Sequence, residues 1–239
     1  MKSAFAIYKR EIASYFSSSL AYIATPIFLA LVGVFSLYID DIFDHGLVQM
    51  SVVFRWIAIF LILLAPAITM RLLAEERNSG SIELLLTLPV SEPSIVIGKF
   101  LAAWSLVLIT IGLTISYPIT LACYGALDWG PVIGGYLGLC LMSAAYCAIG
   151  VAASSLTRSQ ILAFLGSLVI CLVPYAIGFS LHKVPAEWVG VIQNLSFEHH
   201  FSSLARGVID TRNIIFYGSV VALALHVAVF SLETRRLRR

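Results

Sequence analysis

Charge is what this chain has least of. Only 12% of its 239 residues are Asp, Glu, Lys or Arg, about half the share of an ordinary soluble domain, while 60% are hydrophobic and the mean hydropathy is +0.96. That deficit excludes a soluble globular enzyme. Cysteine is equally scarce: Cys123, Cys140, Cys147 and Cys171 all fall inside apolar runs. With neither a disulfide framework nor a zinc spacing, they read as small packing residues. A phosphate loop is missing, since the single Gly-Lys pair, Gly98 and Lys99, has Pro93 where the first glycine belongs and Phe100 where Ser or Thr belongs, so nothing can cradle a nucleotide phosphate. The apolar runs hold no buried acid, which argues against an ion-driven carrier. His226, alone in the last run, lacks the serine partner of an intramembrane protease, and no paired-aspartate or zinc signature appears. No A-x-A-like cleavage site follows the first apolar run, so retention of the N-terminus is expected.

What is abundant is apolar length. A membrane span needs about 20 largely apolar residues, and six runs qualify, near Leu20–Ile39, Val52–Thr69, Ile95–Tyr124, Val132–Ser155, Ile161–Leu181 and Ile214–Leu232. The expected fold is therefore an all-α integral membrane protein with six transmembrane helices. Cytoplasmic loops keep the excess of Lys and Arg. With both termini inside, that side collects Lys2, Lys9, Arg10, Arg71, Arg77, Lys99, Arg158, Arg235, Arg236, Arg238 and Arg239, against Lys183, Arg206 and Arg212 outside. This orientation is the expected one. The basic tail "ETRRLRR" reads as a lipid-headgroup anchor rather than a nucleic-acid site.

Ahead of the first run, Phe5, Tyr8, Ile12, Tyr15 and Phe16 recur at helical spacing, with Lys9, Arg10 and Glu11 clustered away from them. That pattern predicts an interfacial elbow helix over residues 1–19. Pro26, Pro66, Pro118 and Pro174 predict kinks in their spans. Gly134 and Gly138 form a GxxxG, continued by Ala144, Ala148 and Ala152; such a face serves either as a dimer seam or, more commonly, for packing within one chain. Arg55 near the outer end of the second span either snorkels to headgroups or serves gating or substrate contact. Between the last two spans, residues 182–213 place Trp188, Val189, Ile192, Leu195, Phe197, Phe201, Leu204 and Val208 at near-helical intervals, which predicts short helices dipping into the outer leaflet and returning. His199 and His200 are adjacent, so their side chains point about 100° apart on a helix and read as structural.

The remaining feature is the cytoplasmic loop 71–94, "RLLAEERNSGSIELLLTLPVSEP". Gly80 or Ser81 can start a helix that Glu83 favours in its first turn and Pro89 stops. About eight residues span roughly 12 Å, too short to cross a membrane and too short to stand alone. Ile82, Leu85 and Leu86 share one face, and Ser79, Glu83 and Thr87 another. Such leucines dock either on the chain's own bundle and the membrane surface or in a partner's groove.

This loop resembles the first cytoplasmic loop of ABC-2 type permeases, whose pattern E-E-[KR]-x-x-G-[ST]-x-E-x-L-L-x-x-P is met by Glu75, Glu76, Arg77, Gly80, Ser81, Glu83, Leu85, Leu86 and Pro89. "LSFEHHFSSLARGVIDTRNIIFY" is similar to the family's outer segment, with Phe201, Arg206, Gly207, Asp210 and Arg212 in matching places. The short length and the opening "YKREIASYFSSSLAYI" are most similar to the gliding-motility-associated (GldF-like) subgroup. The resemblance, over residues 1–239 as one transmembrane domain, implies the permease subunit of an ATP-driven ABC transporter in a bacterial cytoplasmic (inner) membrane, acting as an exporter or as an ABC-type machine. It implies a coupling helix near Ser81–Leu88, with Thr87 on its docking face, seated in a cytoplasmic ABC ATPase dimer that binds ATP and Mg. This chain itself would hold no cofactor or metal and would not be an enzyme. Other implied partners are a second copy or a related permease and an accessory membrane protein with a large outer domain. The rival reading is a scaffold or sensor subunit that transports nothing.

Overall fold

The computed structural model describes residues 2–36, 50–81, 90–125, 127–179 and 186–236. Among them the chain is helical throughout, with no strand. Helix α1 (Lys2–Ser17) leads through Ser18 into α2 (Ser19–Val34), the two meeting at a bend of 72°. Helix α3 (Met50–Thr69) continues past Met70 into the polar α4 (Arg71–Asn78), so that one rod runs from an apolar body into a charged tip. Then follow α5 (Glu92–Leu113), α6 (Ser116–Tyr124), α7 (Trp129–Leu156), α8 (Gln160–Phe179), the short α9 (Ala186–Leu195) and α10 (Phe197–Ala205), and α11 (Thr211–Arg236).

Five of these stretches, α3–α4, α5–α6, α7, α8 and most of α11, are long and apolar enough to cross a membrane, and the bent α1–α2 pair makes a sixth if counted as one. Their outward faces fit lipid better than water. Only 17% of the apolar window of α11 and 28% of that of α8 are buried, leaving Ile161, Leu162, Val169, Ile215, Leu223 and Phe230 exposed. An apolar surface that continuous does not belong in water. The chain is a multi-pass membrane protein.

The axis of the bundle is α7, which packs on α3, α5, α8, α10 and α11. Its small residues permit this. At Gly134 an added Cβ would run into the Leu204 carbonyl of α10, and at Gly138 it would stand 3.1 Å from the Phe201 ring; Ala144, Ala148 and Ala152 are buried farther along. The GxxxG face thus seats a helix of the same chain.

Partly buried hydroxyls join the apolar helices to one another. Thr25 and Thr110 join α2 to α5 at 3.1 Å, and the Tyr117 hydroxyl donates to the Leu29 carbonyl at 2.7 Å. Of the four prolines at which kinks are predicted, one stands beside a helix break among the described residues. Pro26, Pro66 and Pro174 lie inside unbroken helices, whereas the α5–α6 break falls at Thr114 and Ile115, four residues before Pro118. There the proline has no N–H to offer the Thr114 carbonyl, which instead accepts from Tyr117 N–H at 2.9 Å.

Helix α1 departs from its predicted faces. Its contact with α5 runs through Ala4 and Ile7, which crowd Gly98, through Tyr8, whose hydroxyl accepts from Ser105 at 3.3 Å, and through Glu11. Glu11 is therefore turned toward the bundle and not outward with Lys9 and Arg10. Phe5, 66% exposed, and Phe16, 42% exposed, keep a second, apolar flank open.

Candidate functional site

The polar end of the bundle is organised around α4. A helix leaves its first N–H groups without intrahelical partners. Here Ser154, three residues from the end of α7, supplies them: its Oγ accepts from Leu73 N–H at 3.0 Å and Ala74 N–H at 2.9 Å and donates to the Met70 carbonyl at 3.0 Å. One hydroxyl from a neighbouring helix thus caps the arm. The next residue, Ser155, offers its carbonyl to the Nη1 of Arg77 and to the Ser231 hydroxyl of α11, the latter at 2.9 Å. Arg77 is buried, in the last turn of α4, where a cation complements the helix dipole. The close of α7 therefore clamps α4 on one side and α11 on the other.

On its opposite flank α4 is held by charge. Lys99 of α5, 1% exposed, donates from Nζ to Glu76 Oε1 of α4 at 2.8 Å and to Glu11 Oε1 of α1 at 2.9 Å. Arg10 adds contacts to the same two oxygens at 3.1 and 3.3 Å, from a position 61% exposed. Two acids and two bases from three helices thus balance, with a lysine as the deepest member. Burying that ammonium is tolerable only because both carboxylates reach it. Above the cluster, Tyr15 donates to the Ile68 carbonyl at 3.0 Å and Arg71 to the Ser18 hydroxyl at 3.3 Å, closing a polar cleft of about 380 Å³ between α1 and α4.

At its far end α4 stops on Ser79, followed by Gly80 at φ 74°, the left-handed conformation that ends a helix at lowest cost with glycine. Ser81 resumes helical structure, its Oγ 2.9 Å from the Ser79 hydroxyl. Of the residues singled out in this loop, Glu75, Gly80 and Ser81 are exposed, Glu76 is engaged by Lys99, and Arg77 is buried. Glu83, Leu85, Leu86, Thr87 and Pro89 lie outside the described residues.

The apolar bundle thus carries α4 as a polar extension of its second long helix, fastened on two sides. A sequence profile of the family described as ABC-2 family transporter protein matches residues 3–184, well over half the chain. The chain belongs to the ABC-2 transporter family. It is the permease subunit of an ABC transporter, a membrane transport component, and membership implies a cooperating ABC ATPase. No curated protein matches it.

The matched part of the permease ends before α9, α10 and α11. In this remaining part Ser196 caps α10 by accepting from His199 N–H at 3.2 Å, and Asp210 caps α11 by accepting from Arg212 N–H at 2.9 Å. Phe201 is buried under α7, while Arg206 and Arg212 are exposed. Gly207, at φ 82°, passes so close to α7 that an added Cβ would stand 3.2 Å from Gly130 and Pro131 backbone atoms. Gly207→Ala should accordingly destabilise the permease by about 1–2 kcal/mol from the left-handed backbone alone, read as an earlier melting transition in detergent. His200 is buried, with Nδ1 2.7 Å from Asn213 Oδ1, Nε2 3.2 Å from the Asn194 carbonyl and its ring stacked on Phe216. Among the described residues no cluster is suited to a metal ion.

Sequence reasoning passed over three residues of the inner site. Lys99 enters the sequence reading as the end of a defective phosphate loop and as one of the cytoplasmic cations, although a lysine five residues into an apolar run is itself a signal for buried acids nearby. Glu11 looked solvent-facing because three charges stood together. Ser154 carries no signal in one sequence, being one of several serines on a small-residue helix.

Proposed function

We propose that the permease is the membrane half of an ATP-driven exporter or ABC-type machine of a bacterial cytoplasmic membrane, with both termini in the cytoplasm, and that α4 is the arm through which an ATPase dimer moves it. The observation that carries this reading is the fastening of α4 on two sides, to α7 through Ser154 and Ser155 and to α1 and α5 through Glu76 and Lys99. A push on the segment beyond Gly80 then reaches four helices at once instead of bending a loose loop. On this reading residues 82–89 form the coupling helix, Ser81 and Glu83 stand at its start, and Leu85, Leu86, Thr87 and Pro89 complete the docking element. Helix α1 is the interfacial elbow: its open flank of Phe5 and Phe16 suits the lipid surface, and its bend of 72° into α2 suits a turn from the membrane plane into a span. ATP and Mg belong to the partner. A second permease copy or relative completes the path, and an accessory protein with a large outer domain is a further candidate partner of a gliding-motility-type permease.

Gentle affinity purification of the tagged chain from its native membrane, followed by mass spectrometry and an ATP hydrolysis assay, tests the proposal. A stoichiometric ATPase is expected, and Glu83→Lys should reduce its recovery several-fold without lowering the amount of permease in the membrane. A homo-oligomer with no ATPase would favour the scaffold or sensor reading instead.

A further inference from the structure

At the end of the bundle away from α4, the first turns of α3, the last turn of α8 and the length of α10 enclose a cavity of about 480 Å³, within the size range of ligand pockets. Its walls are of two kinds. Tyr175, Phe179 and Phe201 give it an aromatic lining, and Arg55, Glu198 and Arg206 bring two cations and one acid to it. Glu198 and Arg206 form no ion pair with one another among the described residues. Arg206 donates from Nε to the Ser202 carbonyl at 3.2 Å, while its Nη groups hold no bond among the described residues. Glu198 makes no hydrogen bond or ion pair among them either, and it lies against α8, where a Cβ on Gly178 would stand 2.8 Å from Glu198 Oε2. Burial holds the Glu198 carboxyl above the usual carboxylate range, against the opposing pull of His199 and Arg206. A half-buried carboxylate without a donor is costly. The same space thus offers a guanidinium fork suited to a phosphate, an acceptor suited to an ammonium, and aromatic surface for the chain that carries them.

We propose that this outer cavity binds a zwitterionic aminophosphate headgroup of the ethanolamine type, its phosphate on Arg206 and its primary ammonium on Glu198. An anionic headgroup without an amine would leave Glu198 unpaired, and a quaternary ammonium has no N–H to donate to it. The aromatic wall favours a lipid over the free headgroup. This inference goes beyond the transport reading and stands apart from it, since binding here requires no ATPase.

The test is native mass spectrometry of the full-length permease in detergent, titrated with dioleoyl phosphatidylethanolamine, phosphatidylglycerol or phosphatidylcholine. The ethanolamine lipid should bind about tenfold more tightly than either other lipid, the worth of one charge-assisted hydrogen bond. Glu198→Gln should erase its advantage over phosphatidylglycerol, Arg206→Gln should weaken both, and Arg212→Gln, which removes an outer charge away from the cavity, should change neither. Soluble glycerophosphoethanolamine that displaces the lipid at equal concentration would support the same chemistry with a soluble source. Equal binding of the three lipids to the wild type, or an ethanolamine preference that persists in both cavity variants, overturns the proposal. Should those variants not survive purification, Ser202→Trp fills the cavity without touching a charge, and retention of the preference there overturns it equally.

Discussion

Lys99→Met should be among the most damaging single substitutions outside the apolar core, lowering stability by about 3–5 kcal/mol, because it leaves two carboxylates facing each other with their deepest cation gone. Glu11 and Glu76 are only 13% and 17% exposed, and the remaining base, Arg10, reaches them from the surface at 3.1 and 3.3 Å. Methionine matches the length of the lysine stem, so little packing is lost and the effect reports charge. The measurement is the thermal transition of the detergent-solubilised permease, followed by size-exclusion chromatography.

The decisive comparison is the triple variant Lys99→Met, Glu11→Gln, Glu76→Gln. Removing the acids removes the penalty, since replacing a whole buried ionic group with neutral residues is often neutral or stabilising; most of the lost stability should return. Coupling should not return with it. The salt bridges tie α4 to α1 and α5 by direction as well as by strength, and amides in their place hold no fixed register. If the proposed lever is right, ATP hydrolysis by the assembled transporter continues in the triple variant while substrate movement falls. Full transport would show that the cluster serves stability alone.

These roles explain which parts of the molecule were legible in the sequence. Apolar runs of membrane length and the short helices between the last two spans follow from local pattern, because each is set by hydropathy or by a capping residue such as Ser196 within a few positions. The inner site is different in kind. Its hydrogen bonds join residues 81, 80 and 78 positions apart, and its ion pairs join residues 88 and 23 positions apart. No periodicity encodes such pairings. The motif that signalled the family, Glu75 to Pro89, is also not one surface: Glu76 and Arg77 serve as internal fasteners, and Glu75, Gly80 and Ser81 are exposed. A linear motif records which residues matter to a loop and not which way each one points. The outer cavity was half visible: Arg55 stands out as a charge at the end of a span, but Glu198 is distant in sequence and nothing local pairs the two.

Ser154→Val should produce the second large effect, by a route that involves no charge. Valine keeps nearly the volume of the site and its Cγ atoms can occupy the space of the hydroxyl, but the Leu73 and Ala74 amides and the Met70 carbonyl all lose their shared partner. Loss of a side-chain cap costs about 0.5–2 kcal/mol, and the upper end is expected here because Leu73 and Ala74 are fully buried, where water cannot replace the bond. The damage should be local. Amide hydrogen exchange should quicken in α4 while α7 and α11, still joined by the Ser231 contact to the Ser155 carbonyl, keep their protection. Ser154→Thr retains the hydroxyl and should recover protection of α4 to the extent that its extra methyl is accommodated. A uniform rise in exchange across all helices of the Val variant would mean that Ser154 stabilises the bundle as a whole. A rise confined to residues 71–78, with weaker coupling of ATP hydrolysis to transport, would mark the hydroxyl as the joint between the arm and the bundle that the arm is proposed to move.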